Sequence, residues 1–209
     1  QGEKLSLHSP LDAVKKGISI VYQEPNIFAD MSVLENIFMG NEVVSKNKTI
    51  QWTKMYEEAV KALKMVDLPE NILHLTMSEL SIGNQQLVLI ARGIYKKCKI
   101  LILDEPTSIL SHNESEKLFE IIADLKQQGV SIMYISHRIP EILRISDDII
   151  VLRDGCLTGT LKPQETNEEA IITAMSGRKI NMSVYEAREW GEKAILEVKN
   201  LSYGSAYKD

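Results

Sequence analysis

Two adjacent carboxylates, Asp104 and Glu105, follow a run of four apolar residues at 100–103. A short apolar run that ends in charge is typical of a strand buried on both faces, with the acidic pair at its carboxyl end. In α/β sheets, ligands bind at that edge. There Asp104 could hold Mg²⁺, and Glu105 could polarise a water for in-line attack on a γ-phosphate. An ordinary acidic turn after a strand would also explain the pair.

Two other apolar runs end in polar side chains that could reach the same edge. The β-branched run at 18–22 precedes Gln23, whose carboxamide could ligate a hard cation or hold a water. The run at 130–135 precedes Ser136 and His137, and this imidazole could donate to a γ-phosphate. Taken singly, Gln23 could be a polar turn residue and His137 a strand-end residue that faces solvent.

A fourth candidate group precedes a predicted helix. Ser81 and Gly83 come shortly before residues 87–97, where apolar residues recur at helical spacing. A hydroxyl and backbone N–H groups at the positive end of a helix dipole favour a phosphate. An ordinary serine cap followed by a glycine is the simpler interpretation.

Helical periodicity alternates with these strands along the chain, which predicts an α/β fold. Two capping boxes are indicated, Ser32 with Glu35 and Asn113 with Glu116. An Asp-Gly turn predicts a hairpin over 149–161. Helices are predicted over 9–17, 32–39, 52–66, 87–97, 113–129 and 166–175.

Composition limits the classes of function. The 209 residues are 44% hydrophobic and 25% charged, which is ordinary for a globular protein with one sizeable core. The net charge of −5 and the lack of a basic stripe argue against a nucleic-acid partner. Cys98 and Cys156 lack metal-ligand spacing, so reduced thiols and no zinc site are expected. Because no apolar run could span a bilayer, we expect any membrane contact to be made through a partner.

Four segments, VYQEP, LSIGNQQ, ILILDEPTS and YISHR, occur in this order. Together they resemble the nucleotide-binding domain of an ATP-binding cassette (ABC) transporter. The segments MSVLENIFMG, QQLVLIARG and GVSIMYISHRIPEI resemble, more narrowly, the first cassette of the tandem ATPases that drive bacterial import of ribose, galactose and xylose. The resemblance implies a P-loop NTPase-like α/β fold with a mostly parallel central sheet and an inserted α-helical subdomain at about residues 30–97.

The resemblance also implies ATP and Mg²⁺ as ligands and ATP hydrolysis as the reaction. Asp104 would be the Walker B aspartate, a metal ligand, and Glu105 the base that orients the attacking water. Gln23 would be the Q-loop glutamine, which touches Mg²⁺ and the water. His137 would be the switch histidine that senses the γ-phosphate.

The signature motif, which in this family contacts ATP held by an opposing cassette, departs from its usual pattern. Ile82 and Asn84 stand where the motif usually has glycine and glutamine. Ser111 replaces the aspartate that usually ends the D-loop, and both departures are expected to weaken coupling between the two ATP sites. The residues that would contact the nucleotide are Ser81, Gly83, Asn84 and Gln85.

One expected motif is missing from the sequence. No glycine is followed by another five residues later, so no G-x-x-x-x-G-K-[ST] phosphate loop is present. We therefore expect a fragment: 1–177 as a first cassette that lacks its N-terminal part, 178–193 as a linker, and 194–209 as the start of a second cassette. Tyr203 would stack on adenine there; a stray C-terminal strand is the alternative.

The implied partners are membrane-spanning permease subunits, a periplasmic or extracellular sugar-binding protein reached through the complex, and a second cassette in the same chain or in a homodimer. The implied location is the cytoplasmic face of the bacterial cell membrane, as a peripheral protein. The alternative function is a non-transport module on the same fold, regulatory or associated with ribosomes or DNA. Glu105, which a degenerate module is expected to lose, favours the ATPase.

The missing phosphate loop generates a prediction: this chain by itself should be inactive and should bind Mg-ATP no more tightly than about millimolar, about 4 kcal/mol. Two of the three groups expected at the sheet edge, Asp104 and Glu105, are anionic and repel phosphate unless Mg²⁺ bridges them. Titration calorimetry measures this affinity. A micromolar dissociation constant would show that the phosphate site lies elsewhere.

Overall fold

The computed structural model describes residues 5–24, 26–95, 98–177 and 199. Its helices and strands alternate along the chain and confirm the predicted α/β class. In chain order they are α1 (Pro10–Lys15), β1 (Ile18–Val21), α2 (Val33–Phe38), α3 (Trp52–Met65), α4 (Ile82–Ile94), β2 (Ile100–Asp104), α5 (His112–Gln127), β3 (Ser131–Ile135), α6 (Ile139–Ile145), β4 (Ile149–Arg153), β5 (Cys156–Leu161) and α7 (Glu168–Ser176).

Three parallel strands form the central sheet in the order β1-β2-β3. Their register places Val21 beside Leu103 and Leu103 beside Tyr134, so the three carboxyl ends lie level. The segments that follow the strands therefore leave the sheet at one edge. This arrangement confirms the mostly parallel sheet with the Asp104 strand at its centre.

The two faces of this sheet are covered differently. On one face Leu101 and Leu103 of β2 are fully buried. On the other face, Ile20 and Met133 flank Ile102, and they are 41% and 54% exposed. Parallel sheets normally bury both faces. The prediction that β2 is buried on both faces is thus correct for one face only, because the described residues leave the second face partly open.

Helices α2, α3 and α4 pack together beside the sheet, within the segment 30–97 predicted as a helical subdomain. Apolar side chains at helical spacing, among them Met55 and Leu63 of α3, are fully buried between them. The capping box of Ser32 and Glu35 starts α2 as predicted. The domain boundaries themselves stay a prediction.

The box predicted for α5 is wrong. The helix begins at His112, with Ser111 as its N-cap and Glu114 as the box partner. Both pairs, Ser111 with Glu114 and Asn113 with Glu116, have the three-residue spacing of a capping box. Ser111 is the N-cap because its backbone is extended, as an N-cap requires. Glu116, which was predicted to close the box, binds Arg144 of α6 instead.

The hairpin β4–β5 confirms its predicted Asp-Gly turn, with Asp154 and Gly155 both at positive φ. Its inner face packs with α6 and α7 around a small second core that includes Ile149 and Ile171. Over the residues that the structure describes, no helix is long and apolar enough to cross a membrane. The predicted linker 178–193, and the predicted second-cassette start 194–209 with Tyr203, lie outside the described residues, apart from Lys199.

The open sheet face generates a prediction about solubility. The chain by itself should bind a hydrophobic dye and aggregate, because exposed contiguous apolar surface promotes association. Replacing both Ile20 and Met133 by lysine should reduce dye fluorescence and light scattering. Leu101→Lys, on the buried face of the same sheet, is the matched control and should abolish folding. A wild-type chain that neither binds dye nor scatters light would contradict the prediction.

Candidate functional site

Three polar side chains meet at the carboxyl edge of the sheet. The Gln23 amide Nε2 donates to Glu105 Oε2 at 3.1 Å. His137 Nδ1 lies 3.0 Å from Glu105 Oε1. Each side chain comes from the segment after a different strand, so the level strand ends bring them together. The sequence predicted this meeting, and we refer to the three residues as the edge triad.

The backbone at Glu105 has a conformation that side chains rarely adopt. Its φ is +45°, in the left-handed region. Two backbone bonds hold it there: Glu105 N–H donates to Ile135 C=O at 2.9 Å, and Ser108 N–H donates to Glu105 C=O at 3.1 Å. Strained residues of this kind concentrate at functional sites, where the surrounding structure fixes them. The turn aims the carboxylate at the ends of the neighbouring strands.

Asp104 is the last residue of β2 and lies beside Ile135 of β3, partly buried. Within the described ranges, no cluster of three or more His, Cys, Asp or Glu side chains could hold a metal by itself. Mg²⁺ does not require one, because it is commonly held by one or two carboxylates with waters and substrate phosphates. The oxygens of Asp104 and Gln23 at this edge fit that donor set.

The Ser81 group lies at the start of α4, which begins at Ile82 rather than near residue 87. Ser81 is the N-cap, and its side chain accepts from Asn84 N–H at 3.2 Å. Gly83 is therefore inside the first turn of the helix, not before it as predicted. A Cβ at Gly83 would require the Glu114 side chain, which packs over this turn, to move.

Gln85, also predicted to bind nucleotide, is engaged within the chain. Its side-chain Nε2 donates to the backbone carbonyls of Met77 at 2.9 Å and Leu80 at 3.2 Å. These bonds hold the segment before α4 against the helix. Gln85 therefore fixes the backbone that leads directly into Ser81 and Gly83.

Sequence reasoning missed a second polar cluster next to the edge triad. Its centre is Glu141, in the first turn of α6, which accepts from the hydroxyls of Thr107 and Tyr134. Thr107 is 1% exposed, although it lies two residues after Glu105 in a loop. A buried threonine hydroxyl requires a partner. The only sequence signal was the spacing of Arg138 and Glu141, which allows an ion pair on one helical turn.

The chain is similar in sequence to a known protein family and to several curated proteins. Residues 1–108 match the family described as ABC transporter. The chain is 41% identical over 203 residues to the ribose import ATP-binding protein RbsA of Caldanaerobacter subterraneus subsp. tengcongensis, covering 97% of this chain and 40% of that protein. It is 42% identical over 201 residues to the xylose import ATP-binding protein XylG of Moorella thermoacetica, covering 96% and 40%.

A solved structure shares the fold. It is the dimeric post-hydrolysis state of the ATP-binding cassette MJ0796 bound to ADP and Pi, which is 25% identical, with a TM-score of 0.62, over 75% of this chain and 67% of that chain. The present chain spans about two fifths of the length of the curated relatives it matches.

The exposure of His137 generates a prediction about stability. Its side chain is 65% exposed, so His137→Ala should lower the thermal midpoint by no more than about 2 °C, the effect of about 0.5 kcal/mol. Leu103→Ala, in the fully buried position of β2, is the contrasting control and should cost about 2–5 kcal/mol. Differential scanning calorimetry distinguishes them. Loss of cooperative unfolding in His137→Ala would make His137 a structural residue.

Proposed function

Because this chain belongs to the ABC transporter family, we propose that it is part of the ATP-hydrolysing subunit of an importer for a monosaccharide. One observation carries the proposal: a carboxylate at the end of the central strand is held between a carboxamide and an imidazole from the neighbouring strands. The relatives support the cargo class, since they are named as ribose and xylose import ATP-binding proteins.

The edge triad contains three of the groups that in-line hydrolysis of a γ-phosphate would use. Glu105 would orient the attacking water and accept its proton. His137 would donate from Nε2 to a γ-phosphate oxygen, which stabilises the charge that develops there. Since Nδ1 faces the Glu105 carboxylate, which only accepts, making both contacts requires a proton on each ring nitrogen. The contacts of Gln23 and His137 with Glu105 hold the carboxylate in one place before the reaction. Less orientational freedom then has to be lost on the way to the transition state.

Asp104 and Gln23 are the residues that would hold Mg²⁺. When bound, the ion would supply positive charge that offsets the negative charge of the phosphate groups. Asp104 contributes a hard anionic oxygen at the end of β2, and Gln23 a neutral one from the loop after β1. A neutral ligand on a loop can also move with the nucleotide state, which would let Gln23 report that state to a partner.

Ser81, Gly83 and Asn84 would contact the nucleotide held by an opposing cassette, and Gln85 would position them. The position of Ser81 supports this, because it is exposed at the N-terminus of α4. Gly83 is buried in the first turn, and the Asn84 N–H is bonded to the Ser81 side chain. The dimeric cassette bound to ADP and Pi supports pairing of two such units. Tyr203 would stack on adenine in the second cassette.

The proposed assembly follows from the same family. The partners would be membrane-spanning permease subunits, a sugar-binding protein outside the membrane, and a second cassette, with residues 1–177, 178–193 and 194–209 as part of a first cassette, linker and second cassette. The subunit would lie at the cytoplasmic face of the cell membrane. A nucleic-acid partner is not proposed, because the chain carries a net charge of −5.

A substitution at Glu105 tests the proposed hydrolysis. In the gene product that carries this chain, with the second cassette's site disabled, Glu105→Gln should lower ATP hydrolysis at least about 100-fold while nucleotide binding is kept. The carboxamide keeps the size and hydrogen bonding of the carboxylate but cannot accept the proton. Glu120→Gln, at an exposed position of α5, is the control and should leave turnover unchanged. Wild-type turnover in Glu105→Gln would exclude the role.

A further inference from the structure

We propose that Glu141 is a positioning residue that ties the loop carrying Glu105 to the loop carrying His137. The proposal rests on the proposed function for its catalytic consequence, but the tie itself is a structural feature. Glu141 touches neither Glu105 nor His137; it acts through their neighbours in sequence. Its own helix, α6, follows directly after His137 and Arg138.

One carboxylate oxygen of Glu141 joins two strand-end segments. Thr107 Oγ1 donates to Glu141 Oε2 at 2.8 Å, from the loop after β2. Tyr134 OH, on β3, donates to the same oxygen at 2.8 Å. Ser136 Oγ, the residue before His137, lies 3.5 Å from it. The loop after β2 and the end of β3 thus share one acceptor oxygen, Glu141 Oε2.

The second carboxylate oxygen completes the cluster. Arg138 Nη1 donates to Glu141 Oε1 at 3.2 Å. Arg138 N–H also donates to Ser136 Oγ at 3.0 Å, which fixes the backbone on both sides of His137. An ionised carboxylate accepts only, and it has lone pairs for about four donors. Three of the four donors around Glu141 approach Oε2, with Ser136 the most distant at 3.5 Å, and Arg138 approaches Oε1.

The Glu141 cluster is buried where the edge triad is open. The Glu141 side chain is 13% exposed and Thr107 is 1% exposed, whereas the His137 side chain is 65% exposed. Burial raises the pKa of Tyr134 above its ordinary value, and the Glu141 carboxylate raises it further, so this hydroxyl stays a donor. Hydrogen bonds to a charged acceptor gain strength in such surroundings, while exposed pairs contribute little. The contacts at Glu141, together with the backbone bond from Glu105 N–H to Ile135 C=O, therefore fix the spacing of the two loops more firmly than the exposed His137–Glu105 contact does.

That spacing decides whether Glu105 and His137 can act on one substrate. Both would have to lie within hydrogen-bond reach of the reacting groups at the same time. Displacements of about 1 Å can cost about 100-fold in rate, without loss of substrate binding. A defect in Glu141 should therefore lower kcat and leave KM for ATP nearly unchanged.

The experiment compares variants of the gene product that carries this chain, with the second cassette's site disabled. Glu141→Gln removes one acceptor oxygen at nearly constant volume. Thr107→Val removes the matching donor, and Thr107→Ser restores it. Glu116→Gln is the matched control, because Glu116 also binds a residue of α6, Arg144, while its described hydrogen bonds reach neither the edge triad nor Glu141.

The expected result is a fall in kcat of at least about tenfold in Glu141→Gln and Thr107→Val, with KM within about twofold of wild type and with near wild-type turnover in Thr107→Ser. The double variant should be slowed by less than the product of the two single effects, since both changes weaken the same Thr107–Glu141 contact. Glu116→Gln should match wild type. If Glu141→Gln turns over like wild type, or if the two single effects add, the proposal is wrong.

Hydrogen exchange measured by mass spectrometry on the same proteins separates this proposal from the proposed function. Glu141→Gln should raise exchange in both loops, 105–110 and 136–138, and Glu116→Gln in neither. If the wild type does not hydrolyse ATP, the proposed function fails, and faster exchange in both loops would still support the tie. Unchanged exchange in the loop at 105–110 would overturn it.

Discussion

Parallel pairing of β1, β2 and β3 with level carboxyl ends is the constraint on which the candidate site depends. A strand end places the next side chain at a definite point in space only if its neighbour ends beside it. Because all three strands stop together, Gln23, Glu105 and His137 meet although 114 positions separate the first from the last. Backbone pairing therefore brings these three side chains together, and their hydrogen bonds then set the distances between them.

The site combines an exposed reactive layer with a buried supporting layer. The exposed layer must admit water and nucleotide, so its own contacts are weak. The supporting layer can be strong because water is excluded from it: Thr107 and Tyr134 share one acceptor behind the edge triad. The positive φ of Glu105 is held from the same side, by its backbone bond to Ile135. Catalytic geometry of this kind requires support that is less mobile than the groups it supports.

The loop after β1 links the edge triad to the helical layer. Gln23 lies at its start, and its far end is fixed by Asn36 of α2, a fully buried residue. The Asn36 side chain accepts from Phe28 N–H and donates to the carbonyls of Phe28 and Met31. These bonds hold Phe28 and Met31 against the start of α2.

The sequence by itself determined the strands, their polar ends, the Asp-Gly hairpin and most of the helices, because apolar periodicity and turn chemistry act between near neighbours. Only the tertiary structure decided that α4 begins at Ile82, since the polar residues of its first turns face the rest of the fold and interrupt the apolar pattern. The same holds for Gln85, bound to a preceding loop, and for Glu141 with Thr107, which are 34 residues apart. A hydrogen bond across that distance leaves no periodic signal in the chain, because its partners become neighbours only when the strands have paired.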